Sequence, residues 1–407
     1  MPDIRTITDA DAEQFRRRLA LGFGNDPDSD TASVERFQAI FEFDRTFAAF
    51  DGDDIIGTAA GFSLGLTVPG DAEVPMAGTT VIAVQPTHRR RGVFRALMES
   101  HLDDVASREE PLAGLWASES SIYGRFGYGP ATYRHSIAIE TGSIAFRDEQ
   151  VKGSTRLLGA PEAEPIVRDL YEKARTTRAG FLSRSDAWWV HRVIADPESW
   201  RGGKSSNRYV VFEEDGSPTG YASYRQKAKW EDFAAGGEID VSEVIATTAA
   251  SHAGIWSFLT NIDLYTDLEY WNLPVDDALP FEITAPRRVR SKLVDGLWVR
   301  LMDVTAALEA RAYETDGGIT FDLIDASRPH NTGTYRLDVA DGRGHCERVS
   351  SAAEATFDTD VMGHLYLGGG NAGAMAGAGR VEGDPESVGS LHRLFHTSQA
   401  PWCPEVF

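Results

Sequence analysis

The chain has 407 residues, 42% of them hydrophobic and 10% aromatic, and a formal net charge of −22. That length exceeds one ordinary core and suits about two to four domains. The charge argues against non-specific nucleic-acid binding, which rests on phosphate neutralisation, and favours cationic ligands. No apolar run approaches the ~20 residues of a membrane span, and the opening Met1-Pro2-Asp3-Ile4-Arg5 lacks the apolar core of a signal peptide. Cys346 and Cys403 stand far apart outside any CxxC pairing, so neither a disulfide framework nor a zinc site is indicated. The expectation is a cytoplasmic protein with no metal and no nucleic-acid or membrane partner.

Residues 4–7 read as a short strand. Thr8, with Asp11 three residues on, reads as the cap of a helix whose apolar face is Phe15, Leu19 and Phe23. Asp26-Pro27-Asp28-Ser29-Asp30 resembles the start of a calcium loop. Thr31 stands where glycine is required and Phe37 where glutamate should close it, so the stretch reads as an acidic turn. Strands at 46–50 and 55–66 meet at Asp51-Gly52, a hairpin signal.

Next comes a β-rich run at 79–84, then the turn Gln85-Pro86-Thr87-His88-Arg89-Arg90-Arg91-Gly92. Phe94, Leu97, Met98, Leu102 and Val105 follow at helical spacing. A helix start leaves N–H groups without intrahelical acceptors at the positive end of the dipole. Three arginines add charge where a pyrophosphate would lie. A plain basic surface turn is the alternative, and the readable strand before and helix after favour the anion site. Residues 111–117 form another apolar strand, ending in Ser118-Glu119, and residues 122–129 interleave glycines with aromatics, Tyr123 and Tyr128 among them. The order β-α-(α)-β-β-β-α-β resembles that of the GNAT acyl-CoA N-acetyltransferases, in which the pantetheine lies in a splay between the fourth and fifth strands.

The middle of the chain repeats this order weakly. Strands at 155–158, 209–212 and 220–224 and a turn at Asp215-Gly216 lead to Val244-Ile245-Ala246 and a helix from Ser251. Overlaid on the first copy, Gly254 falls on Gly92, Trp256 on Phe94 and Leu259 on Leu97, and Ser251, His252 and Ala253 replace the arginines. The skeleton persists while the anion-binding charge is gone. His252 is either a residual phosphate contact or a solvated or core histidine, and the second is the plainer reading.

From Gly296 the texture changes: a strand at 297–302, a short helix at 304–312, half-buried strands at 319–324 and 335–339, and a segment at 361–367 too short to assign. Gly368-Gly369-Gly370-Asn371-Ala372-Gly373 is a literal G-x-G-x-x-G. No following strand completes a βαβ unit, so close packing of small residues is preferred over a dinucleotide site. The last residues, Ala400-Pro401-Trp402-Cys403-Pro404-Glu405-Val406-Phe407, carry two prolines and two aromatics and suggest a docked tail.

Together the motif at 84–92, Ala117-Ser118-Glu119, the segment at 122–132, Asp295-Gly296-Leu297-Trp298-Val299-Arg300, Ala307-Leu308-Glu309-Ala310-Arg311 and a C-terminal phenylalanine resemble the enhanced intracellular survival (Eis) acetyltransferases. The resemblance implies an α/β (α+β) chain in three parts. These are an active GNAT domain at 1–145, a degenerate GNAT-like domain at 146–290 and a sterol-carrier-protein-like domain at 291–407. It also implies a homohexamer using acetyl-CoA to acetylate amines of aminoglycoside-like molecules or lysine. Ile82, Ala83 and Val84 would bind pantetheine and acetyl group. Arg90, Arg91, Gly92, Val93, Phe94 and Arg95 would surround the pyrophosphate, with Ser118 and Glu119 on the far side. Tyr123 falls on the family's general acid, ahead of Tyr128, and the carboxylate of Phe407 on its base. Phe23, Asp26, Trp188 and Glu405 fall at or near its substrate pocket. The alternative is a carrier of an apolar ligand that uses the C-terminal domain.

Overall fold

A sheet of seven strands begins at the N-terminus. Five strands lie side by side in chain order: β1 (Asp3–Thr6), β2 (Thr46–Asp51), β3 (Asp54–Thr67), β4 (Glu73–Val84) and β5 (Leu112–Trp116). Leu297–Leu301 and then Gly129–Pro130 complete it. Only β4 and β5 pair in parallel. The computed structural model describes residues 2–27, 33–147 and 152–407; Asp28, Ser29 and Asp30 of the acidic turn lie outside them. Alternation along β2 divides its side chains between two layers. Phe47 and Ala49 pack with Val93 and Leu97 of α3 (Val93–Ser107), whereas Ala48 and Phe50 pack with Phe15 and Phe37 of α1 (Ala12–Gly22) and α2 (Ser33–Ile40). Helix α1 starts later than Thr8 suggests. The Thr8 N–H and hydroxyl both donate to Asp11 Oδ2, at 3.0 and 2.9 Å, closing a turn ahead of the helix.

Residues 133–178 and 194–295 form a second compact unit, and the remainder forms the first. The units divide at 132/133 and 295/296 with a return at 179–193. Tyr133–Glu140 pairs with Tyr265–Pro274 and Val289–Asp295 in the second sheet, and Leu297–Leu301 pairs with β5 in the first. Alternation identifies a strand but not its partner, which is why Leu297–Leu301 reads from sequence as part of the C-terminal domain.

The second sheet repeats the first. Ser154–Leu158, Arg208–Glu214, Ser217–Lys227, Gly237–Ala246 and Tyr265–Pro274 lie in chain order, with only the last two parallel. Helix Ala249–Thr260 joins that parallel pair. The helix register differs from the sequence overlay. A Cβ at Gly57 would lie 2.9 Å from Leu97 and 3.0 Å from Val93, and one at Gly220 would lie 2.8 Å from Ile255 and 2.9 Å from Ser251. Ile255 is therefore the counterpart of Leu97, and His252 that of Phe94. The overlay of Gly254 on Gly92 is off by about one helical turn, a shift that leaves the apolar face unchanged and so is invisible to periodicity.

Within the first unit a third sheet orders Arg343–Arg348, Gly333–Ala340, Gly317–Ile324, Ala355–Asp358 and Val381–Gly383. Its core is continuous with that under β3–β5: Leu66, Met76 and Leu112 share a cluster with Ile319, Phe321 and Leu365. Phe321 stacks on Tyr335 and Phe357 at 5.7 and 5.3 Å within that core. The unassigned segment is helical, Thr359–Tyr366. The glycine run is close packing: a Cβ at Gly370 would collide with the His364 carbonyl, and Asn371 caps Ala372–Gly377 through Ala374 N–H at 2.9 Å. The tail is docked. Trp402 N–H donates to Ala179 O at 2.9 Å, its ring meets Phe181 edge-on at 5.3 Å, and Trp116 Nε1 donates to Glu405 O at 2.8 Å.

Candidate active site

β4 and β5 pair only from Met76↔Leu112 to Gly78↔Gly114 and then part. Opposite the break, the register of β3 and β4 shifts between Thr58 and Ala60, and Val81 has φ +49. This two-for-one bulge re-aims the end of the strand. A β-branched residue there is strained, and Thr58 Oγ1 supports it by donating to Val81 O at 2.8 Å. The turn beyond is fastened to β4 by Arg89 Nε, 3.3 Å from Val84 O. Arg90 and Gly92 take φ +61 and +83, and Gly92 precedes α3 without a side-chain cap. Gly92 offers the first-turn N–H groups of α3 no side-chain cap, and they adjoin an arginine-rich turn, an arrangement suited to a pyrophosphate.

These elements enclose a cavity of about 590 Å³. Ile82, Ala83, Val84, Arg90, Gly92, Val93, Phe94, Arg95, Ser118 and Glu119 line it, with Phe23 and Tyr123; Arg91 does not. The lining also includes Arg89 of the arginine turn, together with Gly22, His88, Ile122, Arg125 and Phe126, to which sequence reasoning gave no role. Gly22 had a signal only in hindsight: a Cβ there would lie 2.7 Å from Ala83 Cβ, where α1 crosses β4.

Tyr123 ends a short helix, Ser120–Tyr123, and its ring lies 6.1 Å from Phe94. Burial raises its pKa, the Ser118 side chain pulls it back through a hydrogen bond, and the Glu119 charge raises it again. Tyr128 is fully buried and its hydroxyl is committed. It lies 2.8 Å from Thr79 Oγ1, which in turn lies 2.7 Å from His101 Nε2. Burial lifts Tyr128 to about 12, and burial with the charge of Arg45 lowers His101 to about 3. Tyr128 and His101 therefore stay neutral as a packed pair beneath β4.

Of the four expected substrate residues, Phe23 lines the cavity and Asp26, Trp188 and Glu405 do not. Phe23 is 52% exposed at the cavity mouth, while Asp26 is exposed and outside the lining. Trp188 is buried against Phe62, edge-on at 5.3 Å. Glu405 faces a protein cation: its carboxylate lies 2.5 Å from Arg184 Nε with both side chains buried. That pair helps to pin the tail. Phe407 lies outside the cavity lining, and its ring is 3.1 Å from where a Cβ at Gly78 would stand, at the point where β4 and β5 part.

The equivalent corner of the second unit is closed. Thr248 caps Ala249–Thr260 with a reciprocal box: Ser251 N–H donates to Thr248 Oγ1 at 3.0 Å, and Thr248 N–H to Ser251 Oγ at 3.2 Å. The N–H groups that would hold a phosphate are thus partly used within the chain, and Glu214 Oε1 lies 2.5 Å from Thr248 Oγ1. His252 is no phosphate contact. Its Nδ1 is 2.9 Å from Glu282 and its Nε2 is 3.3 Å from Asp277. Burial alone would lower its pKa; hydrogen bonds to Asp277 and Glu282, with their charges, outweigh burial and raise it to about 10.

Residues 3–131 and 180–301 each match a family described as an acetyltransferase (GNAT) domain, and residues 304–404 match a sterol carrier protein domain. The fold and the site thus define an acyltransferase of the GNAT class, with two GNAT domains followed by a carrier-like one. An uncharacterized N-acetyltransferase of Streptomyces avermitilis is 37% identical over 411 residues, covering 100% of this chain and 99% of its own. N-acetyltransferase Eis of Mycobacterium tuberculosis is 35% identical over 336 residues, covering 81% of this chain and 80% of its own. The crystal structure of Eis1 from Mycobacterium abscessus superposes with a TM-score of 0.86 at 30% identity, covering 100% of both chains. The chain belongs to the Eis family of N-acetyltransferases.

Proposed function

We propose that the protein transfers an acetyl group from acetyl-CoA to a primary amine of a cationic small molecule, aminoglycoside-like, or of lysine, by direct attack. The observation that carries this reading is the parting of β4 and β5 beside a cavity lined by the arginine turn and by Tyr123. Arg90, Arg95 and the first-turn N–H groups of α3 would take the pyrophosphate, and the re-aimed end of β4 at Ile82–Val84 would take the pantetheine. Arg91 stands just outside the cavity and would add long-range charge. The amine nitrogen forms a bond to the thioester carbon, the C–S bond breaks, and the thiolate takes the Tyr123 hydroxyl proton. Burial keeps that hydroxyl protonated at neutral pH. The carboxylate of Phe407 would accept, through water, the proton that the ammonium loses.

The net charge of −22 favours a cationic acceptor. Phe23, which lines the cavity, would supply apolar surface for it. For the carrier alternative the observation to set beside this is that Phe321, Tyr335 and Phe357 are buried and stacked on one another. A homohexameric, cytoplasmic protein belongs to the same proposal; no described helix is long and apolar enough to cross a membrane. The test is release of CoA thiol across polyamines, aminoglycosides and lysine peptides. Turnover with at least one polycationic amine is expected. Hydrolysis alone, or no rise in melting temperature at saturating acetyl-CoA, would contradict the reading.

A further inference from the structure

Arg300, on Leu297–Leu301, is fully buried, and so is the acid it meets, Asp325, at 2.5 Å. Asp325 is over-determined: its other oxygen accepts from Ser327 N–H at 3.1 Å, Ser327 Oγ at 3.0 Å and Arg328 N–H at 2.9 Å. Asn331 Nδ2 adds a bond at 3.2 Å to the oxygen that faces Arg300. A buried ion pair is a costly feature to retain for stability alone. What it holds is specific. Arg300 Nη1 donates to the carbonyl of Phe126 and to Ser327 Oγ at 3.1 Å. Phe126 closes the 3-10 turn Gly124–Phe126, which follows Tyr123 without a break. Gly127 next to it has φ +81, and a Cβ there would collide with the Arg300 guanidinium. The Phe126 ring lies 5.9 Å from Phe94, which also contacts Tyr123, and both Phe126 and Tyr123 line the cavity.

We propose that Arg300 and Asp325 are positioning residues for the acyl transfer. On this account the carrier-like domain contributes to catalysis by clamping, through Asp325 and Arg300, the turn that aims the Tyr123 hydroxyl at the departing sulfur. Asp325 supplies the fixed charge and Arg300 the reach to the Phe126 carbonyl. The inference rests on Tyr123 as the acid, and the experiment separates the two claims.

The full chain is compared as wild type, Asp325→Asn, Tyr123→Phe and the double variant, with acetyl-CoA and a polyamine. Asp325→Asn is expected to lower kcat by about 10- to 100-fold, the scale of a misplaced reacting group. KM for both substrates and the melting-temperature rise with acetyl-CoA should stay near wild type. The double variant should be no slower than Tyr123→Phe, because the clamp acts only through that hydroxyl. Losses that multiply in the double variant, an unchanged kcat, or an effect confined to KM would overturn the clamp while leaving Tyr123 as the acid. A wild-type rate in Tyr123→Phe would overturn the acid assignment itself. Should Asp325→Asn not fold, as judged by circular dichroism, Ser327→Ala removes only the shared hydroxyl. It carries the same cycle with a loss of about threefold to tenfold.

Discussion

At the residue scale the two tyrosines of the glycine–aromatic segment part company. Tyr123 lines the cavity, whereas Tyr128 is held to Thr79 and, through it, to His101. Tyr123→Phe is expected to lower kcat by at least ~10²-fold, the usual worth of a positioned acid, with acetyl-CoA affinity unchanged by calorimetry. Tyr128→Phe should instead cost about 1 kcal/mol of stability in denaturant unfolding and leave kcat within about threefold of wild type, a change of under 1 kcal/mol in the barrier. The direction of the Tyr123 shift adds a pH prediction. An acid works while protonated and fails as pH rises through its pKa. Because burial and Glu119 raise that pKa, the alkaline fall in kcat should lie above pH ~10, the ordinary tyrosine value. Ser118→Ala, which removes the one opposing hydrogen bond, should move that fall further up in a pH–rate profile. A fall near neutral pH would contradict the assignment.

At the element scale the same strand–turn–helix occurs twice, once open and once closed. In the first copy Gly92 leaves the helix start uncapped beside arginines, and in the second Thr248 and Ser251 cap each other and His252 is clamped by Asp277 and Glu282. The His252 pKa of about 10 stands above its unfolded value of 6.5. Its contribution to stability is therefore fully present below pH 6.5 and lost as pH rises towards 10. Unfolding titrations of His252→Gln should show that decline flattened across this window; an identical slope in wild type and variant would sink the clamp. The open copy was legible because its chemistry is local: strand, arginines, glycine and helix lie within one short stretch. The repeat was legible as a skeleton, but not its helix register, since a shift of one turn keeps the same face buried. The interior pairs were not legible at all. Arg184 meets Glu405 across 221 residues and Arg300 reaches Phe126 across 174, and no periodicity marks such partners.

At the scale of the whole molecule, catalytic and carrier-like parts share one core, and the tail returns to the strand pair where the cavity begins. Tyr133–Glu140 belongs to the second unit and Leu297–Leu301 to the first, where it pairs with β5. The tail is held by Trp402, Glu405 and the Phe407 ring beside Gly78. A few residues added after Phe407 should abolish turnover while circular dichroism and melting temperature stay near wild type; full activity in such a protein would remove Phe407 from the mechanism. The central claim is that one GNAT copy is open to acetyl-CoA and the other closed by its own capping box and acids. Calorimetric titration of the whole chain with acetyl-CoA tests it most directly. One equivalent per chain is expected, lost in Arg90→Ala/Arg91→Ala and kept in His252→Gln; two equivalents, or one that survives removal of both arginines, would contradict that claim.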